Sequence, residues 1–179
     1  MTGLGPIRQI GFVTRDLQQC LRFMVDHVGI GPWFVAERVC YPDCSYRGNA
    51  IGVELSIALG NCGPMQYEII EQVGGNESIY TEWLKQFPDG NLAQHYASWV
   101  TDYAETRRTA AALGYQIIQE GRAANGLFVY FRHPDNPTFI HEVVELTQPR
   151  RSIFEQIADA AHDWDGRDPV RKCWPRPID

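Results

Sequence analysis

Apolar residues fall along this chain in short runs whose period switches between that of a strand and that of a helix. Ile7–Val13 is rich in β-branched and aromatic residues and predicts a strand. Asp16 is a candidate N-cap, and Leu17, Cys20, Leu21, Met24 and Val28 follow at helical spacing, with Gly29, Gly31 and Pro32 as the stop. Strands are predicted at Trp33–Val39, Gly52–Leu59 and Met65–Glu71, with a polar connection up to about Ala50. A short helix from Ser78 to Phe87 links to a second series: a strand at Leu92–Val100, a helix capped by Asp102 and stopped at Gly114, then strands at Tyr115–Gln119, Leu127–Arg132 and Thr138–Leu146. Arg150–His162 predicts a last helix, with Ile153, Phe154, Ile157 and Ala161 on its apolar side. The tail beyond carries Trp164 and Trp174, which are expected to pack on the body or on a partner chain.

The second series repeats the first. Gln9–Asp16 lines up with His95–Asp102 at an offset of 86, and Tyr67–Glu71 is matched with Val144–Gln148 as the closing strands. The repeat predicts an α+β fold, two tandem βαβββ modules forming a concave, barrel-like mixed sheet. A single domain is expected over 1–179: first module 5–73, connecting helix 74–91, second module 92–148, C-terminal helix and tail 149–179.

Composition narrows the partners. Among 179 residues, 44% are hydrophobic and 21% charged, as in ordinary globular proteins. A net charge of −6 leaves no basic footprint, so nucleic acid and anionic membrane surfaces are not expected partners. No run reaches the ~18–20 apolar residues of a membrane span, and Met1–Pro6 lacks the features of an export signal, so a cytoplasmic location is expected. The cysteines (20, 40, 44, 62 and 173) follow no zinc or redox spacing, although 40, 44 and 62 are near enough in sequence for a thiolate site to be an alternative.

The repeat places polar residues at matching positions within apolar strands: Gln9 and His95 on the opening strands, Glu68 and Glu145 on the closing ones. A carboxylate on a buried sheet face is costly unless paired or bound to a cation. Two carboxylates, an imidazole and a carboxamide oxygen form a nitrogen/oxygen set suited to a divalent ion (Co, Ni, Zn, Mn or Mg) in an open catalytic site. His141, on the Glu145 face, is a candidate cavity residue; Trp99 shares a face with His95 and is a weaker one. His27, His133 and His162 are expected to be structural.

The repeat, with these positions, resembles the vicinal oxygen chelate superfamily over roughly residues 7–148. Gln9, Glu68, His95 and Glu145 are similar to the glyoxalase I ligand set. Asn76–Leu84, Gln94–Ala97 and Val144–Gln148 look more like methylmalonyl-CoA epimerase, from which Gln9 and Glu68 depart. The resemblance implies a metal-dependent isomerase or epimerase that removes a proton next to a carbonyl or thioester, with a small-molecule substrate such as an acyl-CoA, and a homodimer. It also implicates Glu54, in Val53-Glu54-Leu55, in proton transfer; Glu54 and Glu145 are the expected pair. A glyoxalase I-like lyase, an extradiol dioxygenase and a non-enzymatic binding protein are the alternatives.

Overall fold

A computed structural model describes residues 3–41 and 43–178; the first two residues of the Met1–Pro6 segment, and the two ends of the 1–179 domain span, lie outside it. The first module comprises β1 (Ile7–Thr14), α1 (Leu17–Phe23, running on as a π-helical turn over Met24–Val28), β2 (Trp33–Cys40), β3 (Cys44–Tyr46), β4 (Asn49–Ile51), β5 (Val53–Cys62) and β6 (Met65–Gly75). After α2 (Ile79–Gln86) come β7 (Leu92–Val100), α3 (Tyr103–Ala112), β8 (Gln116–Ala123), β9 (Gly126–His133) and β10 (Asn136–Glu145). The chain closes with α4 (Gln148–His162) and the short β11 (Val170–Arg171).

The local signals act as their chemistry requires. The Asp16 and Asp102 side chains each accept a backbone N–H one turn on, from Gln19 and Glu105. Gly29 ends the first helical segment in the left-handed conformation, at φ 78°. Ser78 and Thr81 form a reciprocal capping box on α2. Helix α4 begins at Gln148 rather than Arg150, because Thr147 supplies the cap and Pro149 sits in the first turn.

Among the described residues the strands form one curled sheet in the order β11-β2-β5-β6-β1-β7-β10-β9-β8-β3-β4. The opening strands β1 and β7 pair antiparallel at its centre, and each runs parallel to the closing strand of its own module, β6 or β10. This is the expected α+β architecture of two βαβββ modules sharing a concave sheet. The segment read as a plain connection contains β3 and β4, and β3 pairs with β8 of the other module, Cys44 opposite Gly121. The excursion therefore ties the two edges of the curl together.

Helix α1 covers the convex face of the first module through Leu17, Cys20, Leu21 and Met24, against Trp33, Ala58 and Ile69. Helix α3 covers the second through Tyr103 and Ala110, against Val129, Phe131 and Val143. The concave side is the larger core, where α2 (Ile79, Tyr80, Trp83) and α4 (Ile153, Phe154, Ile157) pack on inward residues of β1, β5, β6, β9 and β10. The tail packs on the body. Val170 pairs with Trp33, Trp164 lies against Gly31 so closely that a side chain there would meet its ring, and Trp174 reaches the concave cavity. No helix among the described residues is long and apolar enough to cross a membrane.

Candidate metal centre

Three of these strands deliver the site. Glu68 on β6, His95 on β7 and Glu142 on β10 have their ligand atoms within 4.8 Å of one another. The His95 Nε2 lies 3.2 Å from Glu68 Oε2 and 3.3 Å from Glu142 Oε2, with the imidazole fully buried. The two ladders explain the meeting. Glu68 stands beside Gly11 in the β1–β6 pair and Glu142 beside Ala97 in the β7–β10 pair, while Gly11 and His95 face each other between them. Gly11 is what admits the imidazole: a Cβ at that position would overlap the His95 ring.

The second contact of His95 fixes its chemistry. Gln94 Nε2 donates to the Ile79 carbonyl, so Gln94 Oε1 is an acceptor, and His95 Nδ1 lies 2.8 Å from it. Nδ1 is therefore the donor, and in the neutral ring the Nε2 lone pair points between the two carboxylates. Nε2 is also a buried atom with no well-directed hydrogen bond among the described residues. Gln9 lines the same cavity; its Nε2 donates to Gln66 Oε1 at 2.9 Å, and its own Oε1 accepts from no described residue. One orphaned imidazole nitrogen, two carboxylates and a spare carboxamide oxygen fit a divalent cation of the hard-to-borderline kind. The electrostatics ask for positive charge at this point. Burial opposes a charged imidazole, yet the Glu142 and Glu68 carboxylates within 3.3 Å of Nε2 outweigh it and lift the His95 pKa to about 9. Burial also raises the Glu68 carboxyl, with Glu142 adding to it and His95 opposing.

The cavity beside these groups has a volume of about 240 Å³. Its walls are mostly apolar, and Glu68 and Glu142 are the only carboxylates among its described lining residues.

Of the residues singled out from sequence, the structure brings Gln9, Glu68 and His95 to this site. It does not bring Glu145. That carboxylate lies on the opposite face of β10 and accepts the Leu127 N–H at 2.9 Å. The structural match of the closing strands lies three residues from the sequence match of Tyr67–Glu71 with Val144–Gln148, and Glu142 is the counterpart of Glu68. Gln9 precedes Glu68 by 59 residues and His95 precedes Glu142 by 47; most of the 12-residue difference comes from the β2–β5 connection, 41–52, which carries β3 and β4 where the β8–β9 turn has only residues 124–125.

His141 shares the Glu145 face and hydrogen-bonds Ser98 Oγ at 2.9 Å. Because Ser98 Oγ donates to Gly5 O, it accepts from His141 Nε2. Burial holds this imidazole down at about 4, so it is a neutral packing group on the convex side. Trp99 faces inward, but its ring packs on Phe154 at 4.5 Å and is not among the cavity-lining residues. Glu54 is turned out of the cavity and pairs with the exposed Arg38 at 3.0 Å. The cysteines form no ligand cluster among the described residues; Cys44 is buried, whereas Cys40 and Cys62 are exposed.

The profile of the glyoxalase/bleomycin resistance protein/dioxygenase superfamily matches residues 8–131, and the chain belongs to that superfamily. Among solved structures, the fold is similar to methylmalonyl-CoA epimerase from Mycobacterium tuberculosis, with TM-score 0.60 and 16% identity over 82% of this chain and 92% of that one. It is also similar to hypothetical protein BH1468 from Bacillus halodurans (TM-score 0.54, 16% identity, 79% and 94% covered). A third is a single-residue variant of Streptomyces coelicolor methylmalonyl-CoA epimerase in complex with 2-nitronate-propionyl-CoA (TM-score 0.52, 14% identity, 80% and 98% covered). No curated protein matches the chain by sequence.

Proposed function

We propose that this protein is a divalent-metal-dependent isomerase or epimerase that moves a proton at a carbon next to a carbonyl. The observation that carries the reading is the buried Glu68–His95–Glu142 cluster, with its orphaned Nε2, at the wall of an apolar cavity. These three side chains, with Gln9 Oε1, would hold the ion. Once bound, it would polarise the carbonyl and stabilise the negative charge left when the proton departs. Proton transfer falls to Glu68 and Glu142 rather than to Glu54 and Glu145, each through the carboxylate oxygen that it does not give to the ion. They are the only carboxylates lining the cavity among the described residues, and they flank His95 from two different strands. A base on one side and an acid on the other is the arrangement that epimerisation needs. His95, held through Gln94, keeps its lone pair on the ion side.

Two solved relatives are named methylmalonyl-CoA epimerases, and one is bound to an acyl-CoA derivative, which supports an α-proton reaction on a thioester or similar carbonyl compound. The donor set has one histidine, which fits an extradiol dioxygenase poorly, since such sites take two histidines and one carboxylate. A cytoplasmic homodimer acting on a small molecule belongs to the same reading. The test is proton exchange: incubate metal-loaded protein with candidate carbonyl compounds, methylmalonyl-CoA and a glutathione hemithioacetal included, in deuterated water and follow α-proton loss by NMR. Exchange that disappears on chelation supports the reading, with the hemithioacetal alone pointing to the lyase. Full exchange without metal, or a protein that takes up no divalent ion, contradicts it.

A further inference from the structure

The cavity contains two hydroxyls that the proton-transfer reading leaves unused. Tyr80 on α2 and Tyr130 on β9 are each about 2% exposed, both line the cavity, and their Oη atoms lie 3.0 Å apart. Tyr130 stands directly opposite Glu142 in the β9–β10 ladder, where side chains on one face begin ~5 Å apart. Its ring also meets His95 edge-on, with centroids 5.1 Å apart. The pair therefore borders the carboxylate–imidazole cluster from the cavity side.

A proton count shows what the pair lacks. Two phenols carry two hydroxyl protons, and the bond between them uses one. Neither hydroxyl has a further partner among the described residues. The other proton has no acceptor among the described residues, and a buried donor left without one is costly. Phenols titrate near pH 10 (about three units above neutrality), so both stay protonated at pH 7 and can donate. The register places Tyr130 nearer the cluster, and with Tyr80 as the donor within the pair the free hydroxyl proton is that of Tyr130.

We propose that Tyr130, positioned by Tyr80, donates a hydrogen bond to an oxygen of the bound substrate beside Glu142, and that this substrate is a compact, largely apolar compound carrying that oxygen as a carbonyl, enol or enolate. The inference rests on the metal-site reading for where the substrate's reacting end lies. The room supports the size class. A cavity of about 240 Å³, walled by Tyr41, Phe128, Phe154 and Trp174, accepts a ring compound or a short acyl group. A nucleotide-bearing carrier would remain outside it. For comparison, an engineered cavity of about 150 Å³ holds benzene.

Tropolone is a suitable probe, because it is one apolar ring with two adjacent oxygens and absorbs in the near ultraviolet. The full chain and its Tyr130→Phe and Tyr80→Phe variants are loaded with Co²⁺, whose d–d absorption reports metal binding, and then titrated with tropolone. Loss of one hydrogen bond to the ligand should weaken tropolone about tenfold in Tyr130→Phe and about threefold in Tyr80→Phe. The double variant should be no weaker than Tyr130→Phe, because the hydroxyls act as a unit. Co²⁺ affinity should stay within about twofold throughout. If the variants lose thermal stability yet bind tropolone as the parent does, the pair only staples α2 to β9 and the proposal is overturned. A parent that loads Co²⁺ but does not bind tropolone overturns this proposal alone. A parent that takes up no Co²⁺ overturns the metal-site reading and this inference with it.

Discussion

The opening strands of the two modules are counterparts, yet they hold opposite kinds of residue at the site. In the second module the inward position is His95, facing Gly11; in the first it is Gln9, facing Ala97. The side chains across the seam differ by one methyl group, and that methyl decides what each strand can present. Ala97 is fully buried opposite a carboxamide that hydrogen-bonds Gln66. A methyl at position 11 would occupy the space of the imidazole. A duplicated scaffold thus supplies two equivalent positions, and the residue across the seam determines which one can carry the ring.

This contrast can be broken most severely at Gly11. Gly11→Ala should drive His95 from its place and lower Co²⁺ affinity by about 100-fold or more, with a stability loss of ~1–3 kcal/mol from overpacking. Ala97→Gly, its mirror, should leave Co²⁺ affinity close to that of the parent. Isothermal titration of both variants reads the difference; equal affinities would mean that Gly11 is not what admits the ring. A milder change removes the orienting contact. Gln94→Ala frees Nδ1 and should lower metal affinity about 10–100-fold, the usual range for such a supporting residue, while the fold survives in circular dichroism.

Proton linkage provides a third check. His95 is lifted from its ordinary 6.5 to about 9, so its charged form stabilises the metal-free fold. That contribution is fully present below pH 6.5 and is lost as pH rises through about 9. Burial raises Glu68 as well, so its effect on stability also declines as pH rises. The metal-free protein should therefore melt at progressively lower temperature from pH 7 to 9, and Co²⁺ affinity should increase over the same interval as the competing proton leaves. A flat melting temperature across that range would contradict the placement of His95 between two carboxylates. The smallest effect is expected at Glu54. Its pairing with Arg38 lies at the surface, so Glu54→Gln should change stability by less than about 0.5 kcal/mol and leave metal binding unaltered.

The sequence made the two modules, their helix caps and three of the site residues legible, because each rests on a local signal. Asp16 and Asp102 open helices by the same hydrogen bond, and the 86-residue offset between the opening strands needs no knowledge of the loops. Glu142 was missed for a physical reason. From Ile140 to Val144 every residue of β10 is buried, since the sheet is covered on both faces, so alternation does not tell inward from outward. The Val144-Glu145 pair then resembled Tyr67-Glu68 in local character and drew the register three residues away. Gly11 left a weaker signal, a glycine within an apolar strand, which marks close approach by something else. The β3–β4 crossing was hidden because its pairing with β8 depends on contacts distant in sequence.

The central claim is that Glu68, His95 and Glu142 hold a cation, and a side-by-side Co²⁺ titration of the parent, Glu142→Gln and Glu145→Gln tests it most directly. The expected result is one Co²⁺ per parent chain, about 100-fold weaker binding in Glu142→Gln, and unchanged binding in Glu145→Gln, which loses the charge on the acceptor of Leu127 N–H and its attraction to Arg150, at a cost of ~1 kcal/mol of stability. A parent that binds no Co²⁺, or a pair of variants in which Glu145→Gln is the one that loses it, would contradict the claim.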